Sequence, residues 1–499
     1  MIHPSRRSTV LMLVLLSLLV RSHALAGTLA EKVREHTFAN GLKLLVVERH
    51  TSPTFAAYIS IGVGAVDEDS STRGVAHLLE HMLFKGTETI GTRDYRREKP
   101  LLDEIARVGG RIDELKNDPK ADVAELERLR RRLAELQQRH RPLVVKDEFS
   151  RIYGENGAVG YNAFTSKDTT TYTVQLPANR LELWARLEAD RMRNPVLREF
   201  YTEREVIKEE RRRSYDSRPS GMLYETLLAN AFTVHPYRNP IIGWPSDIDN
   251  LTLEETETFL HRYYAPVNTV IALVGDVEFD QAVAVVGRTF GTIPPGTPVP
   301  PVVAVEPPQR GEKRVEIRFD AEPRLAIAFH KPTLPAKDDY IFDLIDLILG
   351  QGRVSRLYRE VVEKRQLASG ISTYGAPGAR YDNLFVISAT PRKPHTVEEV
   401  EQAIMAELER LRSAPVSDSE IERALNRLRA DHLRSMRSNA GLARSLTYYQ
   451  LVAGDWRYLD RYDQVISTLT SEDVRRVAEE YFRPENRTVV ILRREGEVR

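Results

Sequence analysis

Three ionisable side chains that can bind or activate a ligand lie close together in the chain: His77, Glu80 and His81. The surrounding residues 74–86 are mostly apolar, contain no proline and end in a glycine, which predicts a helix that stops there. Ser70, Ser71 and Thr72 precede this segment and offer side-chain oxygens for the helix N-terminus. We therefore predict one capped helix that carries all three ionisable groups.

On such a helix, residues four apart lie on the same face, so both imidazoles project from one side and Glu80 lies beside them. Two neutral imidazoles with a nearby carboxylate suit Zn²⁺, whose catalytic sites keep one position for water. The order His-x-x-Glu-His is also that of the inverted zinc peptidases. Two histidines at this spacing are, by themselves, more often a surface pair or a core pair. Three polar groups on an apolar helix, however, are costly to bury without a partner, which favours a metal.

A second predicted helix, residues 200–213, offers further carboxylates. Glu203, Ile207 and Glu210 share one face of it at positions i, i+4 and i+7, and a glutamate on a partly apolar face is a candidate to point inward. The residues alone leave Glu209 and Glu210 as alternative third ligands.

Composition limits what the 499-residue chain can do. Its 41% hydrophobic and 29% charged residues are those of an ordinary globular protein, long enough for two domains. Lysine plus arginine and aspartate plus glutamate each total 72, which does not support nucleic-acid binding. There is no cysteine, so a zinc ion must be held by histidine and carboxylate.

The first residues are typical of a secretory signal peptide. Arg6 and Arg7 precede an apolar run from Val10 to Val20, and the small residues Ala24 and Ala26 follow. The apolar run is shorter than the roughly 20 residues of a membrane-spanning helix, which disfavours an anchor. We predict cleavage after residue 26 and an exported mature protein with no stable membrane anchor, periplasmic if the source is a Gram-negative bacterium.

The predicted elements indicate an α+β fold. Two strands joined by Asn40-Gly41, a third strand at residues 55–63 and the His77 helix place the site on a helix packed against a sheet. Residues 96–148 differ, because leucines and isoleucines recur there at spacings of three and four. This pattern predicts an inserted helical hairpin, either a solvated arm or a surface for a partner or substrate.

The chain also contains an internal repeat. Seven residues recur 218 positions later, as from 248 to 466 and from 268 to 486, which predicts a duplicated domain. The expected boundaries are residues 27–292 for the first domain, 293–313 for a proline-rich linker and 314–499 for the second domain. The second copy has a helix at residues 340–349 in the place of the His77 helix, without histidine or glutamate.

Together these features resemble the pitrilysin/insulinase family of zinc metallopeptidases, in particular short bacterial members similar to the catalytic subunit of mitochondrial processing peptidase. The resemblance rests on residues 74–87, Asn162-Ala163-Phe164-Thr165-Ser166 and residues 203–210. It implies two α/β-sandwich domains, one zinc ion and hydrolysis of peptides or small unfolded proteins. The implied roles are zinc ligands for His77, His81 and Glu210, general base for Glu80, supporting carboxylate for Glu203, and substrate-binding edge strand for Asn162, Ala163 and Phe164.

One departure from the family concerns the second domain. Family members whose second half completes the active site carry an Arg and, seven residues later, a Tyr, and Val362 and Ser369 occupy those positions here. The resemblance therefore implies the catalytic subunit of a two-subunit enzyme whose homologous partner supplies the Arg and Tyr. The alternatives are a non-catalytic scaffold or peptide-binding subunit of the same fold, or a chaperone whose metal is structural.

Overall fold

The computed structural model describes residues 29–496, so the predicted signal peptide lies outside the described residues. The first half of the chain builds a six-stranded sheet in the order β1-β2-β6-β3-β5-β4. Its strands are β1 (Arg34–Thr37), β2 (Lys43–Glu48), β3 (Thr54–Ile61), β4 (Val159–Thr165), β5 (Thr170–Pro177) and β6 (Thr269–Gly275). The central strands β2, β3 and β6 are almost wholly buried, as their apolar β-branched and leucine-rich sequences require.

The helices of this half precede, connect or follow its strands. They are α1 (Leu29–Lys32), α2 (Val75–Met82), α3 (Tyr95–Leu115), α4 (Val123–His140), α5 (Glu148–Glu155), α6 (Leu181–Arg193), α7 (Phe200–Arg211), α8 (Pro219–Ala231), α9 (Pro245–Asn250), α10 (Leu253–Tyr263) and α11 (Phe279–Thr289). A π-helical turn, Arg212–Asp216, continues α7.

The second half repeats the design with one strand fewer. Its sheet has the order β7-β11-β8-β10-β9. The strands are β7 (Lys313–Phe319), β8 (Arg324–Lys331), β9 (Ala368–Ala376), β10 (Asn383–Pro391) and β11 (Arg487–Arg494), and the helices are α12 (Lys337–Leu349), α13 (Val397–Ser413), α14 (Asp418–Ser435), α15 (Asn439–Val452), α16 (Tyr458–Ile466) and α17 (Ser471–Tyr481). In both sheets the last strand lies between a parallel and an antiparallel neighbour, β6 between β2 and β3, and β11 between β7 and β8.

The repeated Pro-x-Asn residues have the same structural role in both halves. Asn268 Nδ2 donates to the Tyr263 carbonyl at 3.0 Å, and Asn486 Nδ2 donates to the Tyr481 carbonyl at 2.9 Å. Each amide thus ties the end of a helix to the start of the following central strand. The predicted fold class, an α+β protein of two duplicated halves, is confirmed.

Each sheet is covered on one face by a helix of the other half. Helix α15 lies across β3 and β6 of the first sheet, where Leu442, Ala443 and Leu446 join a buried cluster with Leu45 and Val47. Helix α8 lies across β8 and β11 of the second sheet, in a cluster of its own. The two halves therefore bury each other's sheets.

The inserted helices α3 and α4 pack along the predicted seam. Val108, Ile112 and Leu136 form its buried centre. Gly109, in the middle of α3, lies against Tyr201, whose ring would be 2.0 Å from a Cβ atom at that position. The glycine thus permits close packing of α3 on α7.

The base of α3 and α4 is fixed by a buried ionic cluster. Glu98 accepts hydrogen bonds from His140 Nε2 and from Arg198 Nε, both at 2.7 Å. Arg198 also donates to the carbonyls of Thr87 and Ile90, which follow α2. The inserted helices are therefore fastened to the segment that leaves the His77 helix.

Residues 293–312 contain no helix or strand. The Glu306 carboxylate accepts the backbone N–H groups of Thr233, Val234 and His235, so this segment is held against the end of α8. The domain boundaries and the role of the segment as a linker remain predictions. Among residues 29–496, the structure contains no helix long and apolar enough to cross a membrane.

Because α15 covers one face of the first sheet, we expect truncation of its buried side chains to lower the free energy of unfolding strongly. Leu446→Ala removes a fully buried side chain from the contact between α15 and the first sheet, and we expect it to lower the free energy of unfolding by about 2–5 kcal/mol. Leu433→Ala, on α14, is the matched control, because Leu433 is 60% exposed and its truncation should change stability little. Chemical denaturation of both variants measures the difference; equal effects would contradict the structural role of α15.

Candidate metal centre

Helix α2 begins at Val75, with Gly74 as its N-cap in a left-handed conformation (φ +90°). A Cβ atom on Gly74 would lie 2.6 Å from the Ile242 carbonyl oxygen, which explains the glycine. The cap is provided by Glu68, whose carboxylate accepts the N–H groups of Gly74 and Ala76, each at 2.9 Å. The prediction that Ser70, Ser71 or Thr72 caps this helix was wrong, because the hydroxyls of Ser71 and Thr72 bond to Asp69 instead.

The apolar face of α2 is fully buried, and this orients its polar face. Val75, Ala76, Leu78, Leu79 and Met82 lie in the core of the first half. His77 and His81 therefore share the opposite side, with ring centroids 4.9 Å apart.

Helix α7 brings Glu210 to the two histidines. Glu210 Oε1 lies 3.7 Å from His77 Nε2, and Glu210 Oε2 lies 3.5 Å from His81 Nε2. The Glu209 carboxylate is instead bonded to Arg212 and Arg213 at 2.7–2.8 Å. Of the two glutamates that the residues left open, Glu210 lies beside the histidines and Glu209 does not.

The distances fit a metal ion better than direct hydrogen bonds. Both exceed the usual 2.7–3.2 Å of an N–H···O bond. Two ligands of one tetrahedral zinc, each about 2.0–2.1 Å from it, would lie about 3.4 Å apart. His77, His81 and Glu210 form one of the groups of potential metal ligands among residues 29–496, with ligand atoms within 4.8 Å of one another. This donor set, two imidazoles and a carboxylate, is one that zinc accepts.

The electrostatics keep His77 available as a ligand. Burial, together with the charge of His81, lowers the pKa of His77 to about 3, so its imidazole is neutral at pH 7. A metal-ligating histidine must be unprotonated. His77 Nδ1 is buried with no hydrogen-bond partner among the described residues.

Glu203 contacts the ring nitrogen of His81 that faces away from Glu210. Its Oε2 lies 3.4 Å from His81 Nδ1, and its Oε1 accepts a hydrogen bond from Lys85 Nζ at 2.5 Å. Burial opposes the charge of Glu203, but the hydrogen bonds from His81 and Lys85 outweigh it and hold the pKa of Glu203 below its usual range. A charged carboxylate at Nδ1 orients the imidazole so that Nε2 faces Glu210.

Glu80 lies beside this group and is held by a residue that the sequence did not single out. Thr165 Oγ1, at the end of β4, donates to Glu80 Oε2 at 2.7 Å. Burial raises the pKa of Glu80 against this hydrogen bond. Glu80 is thus fixed by one oxygen and is a stronger base than an exposed glutamate. The only sequence signal for Thr165 was its place in the segment after Phe164.

Strand β4, which contains Asn162, Ala163 and Phe164, is the edge of the first sheet. Within the sheet it pairs with β5 alone, so one side of its backbone has no partner strand among the described residues. The guanidinium of Arg444, on α15, lies 5.3 Å from the centre of the Phe164 ring. The second half therefore borders the open edge.

The two positions that lack the family's Arg and Tyr lie in the second half. Val362 is in a π-helical segment, Tyr358–Lys364, and packs against the second core. Ser369 Oγ, on β9, donates to the Thr390 carbonyl at 3.2 Å. Neither side chain can provide the charge or the phenol that the family places there.

The chain belongs to the insulinase family, peptidase family M16. The family model described as "Insulinase (Peptidase family M16)" matches residues 43–113 and 131–244. The model described as "Peptidase M16 inactive domain" matches residues 250–428. The gap in the first match falls at the tip of the α3–α4 hairpin.

Sequence similarity to individual relatives covers most of the chain. The zinc protease PqqE of Helicobacter pylori is 27% identical over 464 residues, 92% of each protein. The probable mitochondrial-processing peptidase subunit beta of Arabidopsis thaliana is 23% identical over 466 residues, 91% of this chain and 77% of that protein.

Solved structures share the fold. A protease from Helicobacter pylori superposes with a TM-score of 0.78 at 27% identity, covering 93% of this chain and 99% of that one. The periplasmic protease PqqL from Escherichia coli has a TM-score of 0.68 at 16% identity, and 93% of this chain matches 48% of PqqL. The fold of this chain thus corresponds to about half of that longer chain.

The contact between Glu203 and His81 predicts an effect on metal affinity. We expect Glu203→Gln to weaken zinc binding by about 10–100-fold, because the amide no longer fixes the His81 imidazole by charge. Glu205→Gln, in the same helix and paired with Lys208, is the matched control. Competition with a fluorescent zinc chelator measures both affinities. Equal zinc affinity in the two variants would contradict a supporting role for Glu203.

Proposed function

We propose that the chain is a zinc-dependent endopeptidase that hydrolyses peptides or small unfolded proteins. The observation that carries this proposal is the convergence of His77, His81 and Glu210 with Glu80 beside them. Membership of the insulinase family and relatives named zinc proteases support it. We further propose export, with loss of residues 1–26, consistent with the periplasmic location stated for PqqL.

In the proposed mechanism His77, His81 and Glu210 hold the zinc ion. Bound zinc would polarise the scissile carbonyl and lower the pKa of water from 15.7 to about 7. Glu80, anchored through one oxygen to Thr165, uses the other oxygen to accept the water proton and then passes that proton to the leaving amine. Its buried position favours this exchange, because burial raises its pKa.

We propose that the substrate adds as a further strand to the open edge of β4. An extended peptide there would pair with the backbone around Asn162, Ala163 and Phe164. Thr165, which ends the same strand, contacts the proposed base. A peptide bound along β4 would therefore be directed toward the zinc ligands.

We also propose that full activity needs a homologous partner. Val362 and Ser369 cannot supply the family's Arg and Tyr, and the two halves of this chain already bury each other through α8 and α15. The relative named as a beta subunit, and the match to half of PqqL, support a second body of the same fold facing this one. That partner would carry the missing Arg and Tyr.

The proposed roles of Glu80 and His77 can be separated. We expect Glu80→Gln to bind zinc normally but to lose at least about 100-fold in peptide hydrolysis, because general-base catalysis contributes roughly 10²–10⁴-fold. His77→Ala should lose the zinc itself. Metal analysis and cleavage of a quenched fluorescent peptide test both, with Glu209→Gln as the control in α7. Normal cleavage by Glu80→Gln would refute the assignment, and an absence of zinc from the wild-type chain would favour a scaffold function.

The partner proposal has its own test. We expect the isolated chain to cleave peptides weakly and a homologous subunit with the Arg and Tyr to raise its kcat/KM at least tenfold. Val362→Arg combined with Ser369→Tyr tests whether this chain's own second half can take over that role. Full activity of the isolated wild-type chain, unchanged by the companion, would contradict partner dependence.

A further inference from the structure

Helix α12 occupies in the second half the position that α2 occupies in the first, since each follows the strand beside the last central strand. Instead of histidines it carries Asp339, Asp343 and Asp346, which share one face at positions i, i+4 and i+7. All three line a cavity of about 330 Å³. The remaining walls come from β8 and the segment after it, from β9, β10 and the loop between them, and from α15 and α16.

The cavity is lined by more carboxylates than cationic side chains. Lys331 lines the cavity and forms an ion pair with Asp339. Asp343 accepts a hydrogen bond from the Tyr462 hydroxyl at 2.9 Å, and Asp346 accepts one from the Thr373 hydroxyl. Both donors are neutral, so one lysine faces three carboxylates.

A further acceptor in the same cavity has no partner. Asn383 is 4% exposed and lines the cavity. Its Nδ2 donates to the Gly378 carbonyl at 2.5 Å, which fixes the orientation of the amide. Its Oδ1 is buried without a hydrogen-bond partner among residues 29–496. A buried acceptor left unsatisfied costs about 1–3 kcal/mol, so it calls for a donor.

Aromatic rings complete the walls. Tyr448 and Tyr449, both half-buried, and Tyr458, which is buried, line the cavity. Aromatic faces attract cations within about 6 Å of the ring centre. Tyr458 is stacked on Tyr340 and Tyr449. The carboxylates together with the rings of Tyr448 and Tyr449 are the walls expected of a site for an organic cation.

Burying the charged forms of Asp343 and Asp346 is unfavourable without a cation, which also favours a cationic ligand. Burial, with the charge of Asp339, raises the pKa of Asp343 to about 7, and burial raises the pKa of Asp346 to about 6. A bound cation would stabilise both carboxylates in their charged form. Within residues 29–496, these three aspartates are not among the groups of potential metal ligands whose ligand atoms lie within 4.8 Å of one another.

We propose that this cavity binds an aliphatic ammonium or guanidinium group, held by Asp343, Asp346 and Asn383 Oδ1 against the tyrosine rings. The group comes either from a peptide or from a free amine. The cavity itself stands apart from the zinc site and needs no hydrolysis to bind its ligand.

The position of the cavity favours a peptide as the source. Ala379, in its wall, donates its N–H to Asp168 at 2.7 Å, and Asp168 lies three residues after the end of β4. On α15, Tyr448 lines the cavity one turn after Arg444, which contacts Phe164 of β4. If the proposed function holds, a peptide on β4 extends toward this cavity and can place a basic side chain in it.

The cation site is tested with butylguanidinium and its neutral isostere butylurea. Saturation-transfer NMR on the full wild-type chain should show saturable binding of butylguanidinium and at least tenfold weaker binding of butylurea. Asp343→Asn and Asp346→Asn should each weaken butylguanidinium binding at least tenfold. Asp338→Asn is the matched control, because Asp338 lies on the same helix, pairs with Arg476 and does not line the cavity.

Two results would overturn the proposal: equal binding of the charged and neutral probes, or an equal loss of binding in Asp338→Asn. Asn has the same shape as Asp and removes only the charge, and far-UV and near-UV circular dichroism establish that each variant is folded. The second aspartate variant keeps the test decisive if the first does not fold.

The source of the cation is tested with peptides that differ only in one arginine or citrulline. The Glu80→Gln chain is used in the presence of a metal chelator and a broad peptidase-inhibitor mixture, and intact peptide is verified by mass spectrometry, so binding is measured whether or not the zinc proposal holds. A tenfold preference for an arginine peptide, lost in Glu80→Gln combined with Asp343→Asn, identifies a peptide side chain as the ligand. No preference at any position, with butylguanidinium still bound, identifies a free cation.

Discussion

The structure depends on the need to cover two sheets that are apolar on both faces. In β2, Leu44 and Val46 point into one core, while Leu45 and Val47 point into another on the opposite side. The helices of the first half cover the first of these faces, and α15 from the second half covers the other. At roughly 25 cal/mol per Å² of apolar surface, neither half can leave such a face in water. Mutual burial therefore joins the halves into one body.

This mutual burial brings the β9–β10 loop to the end of β4. Arg380 donates to the Gly62 carbonyl and pairs with Asp67, which is next to Glu68, the cap of α2. Asp168 accepts the N–H groups of Ala379 and Arg380 on the same side. Charges buried at such a contact need partners with good geometry, so they fix the relative position of the halves. Helix α2 and the edge strand are thus held by residues of the second half.

The sequence predicted the features that depend on local spacing. The two histidines on one helix face and the seam of α3 and α4 follow from the helical period. The edge strand at Asn162 was instead implied by the family resemblance. The cap of α2 was predicted incorrectly, because Glu68 reaches it from six residues away and hydroxyls closer in sequence bond to Asp69. The covering of each sheet by α8 and α15, and the contact of Thr165 with Glu80, depend on tertiary packing that no spacing reveals.

The pair of helices α2 and α12 shows why the absence of a motif is weak evidence. Without histidine or glutamate, α12 has no recognisable metal pattern, and aspartates near a helix N-terminus are usually solvated or serve the helix dipole. Asp339, Asp343 and Asp346 instead face a cavity, because Ile341, Leu344 and Ile348 bury the opposite side of α12 in the second core. Duplication gave both halves a helix whose apolar side is buried and whose other side carries ionisable side chains. The ligand that we propose for each half depends on three side chains: two imidazoles and a glutamate for a metal in the first half, and three aspartates beside tyrosine rings for an organic cation in the second.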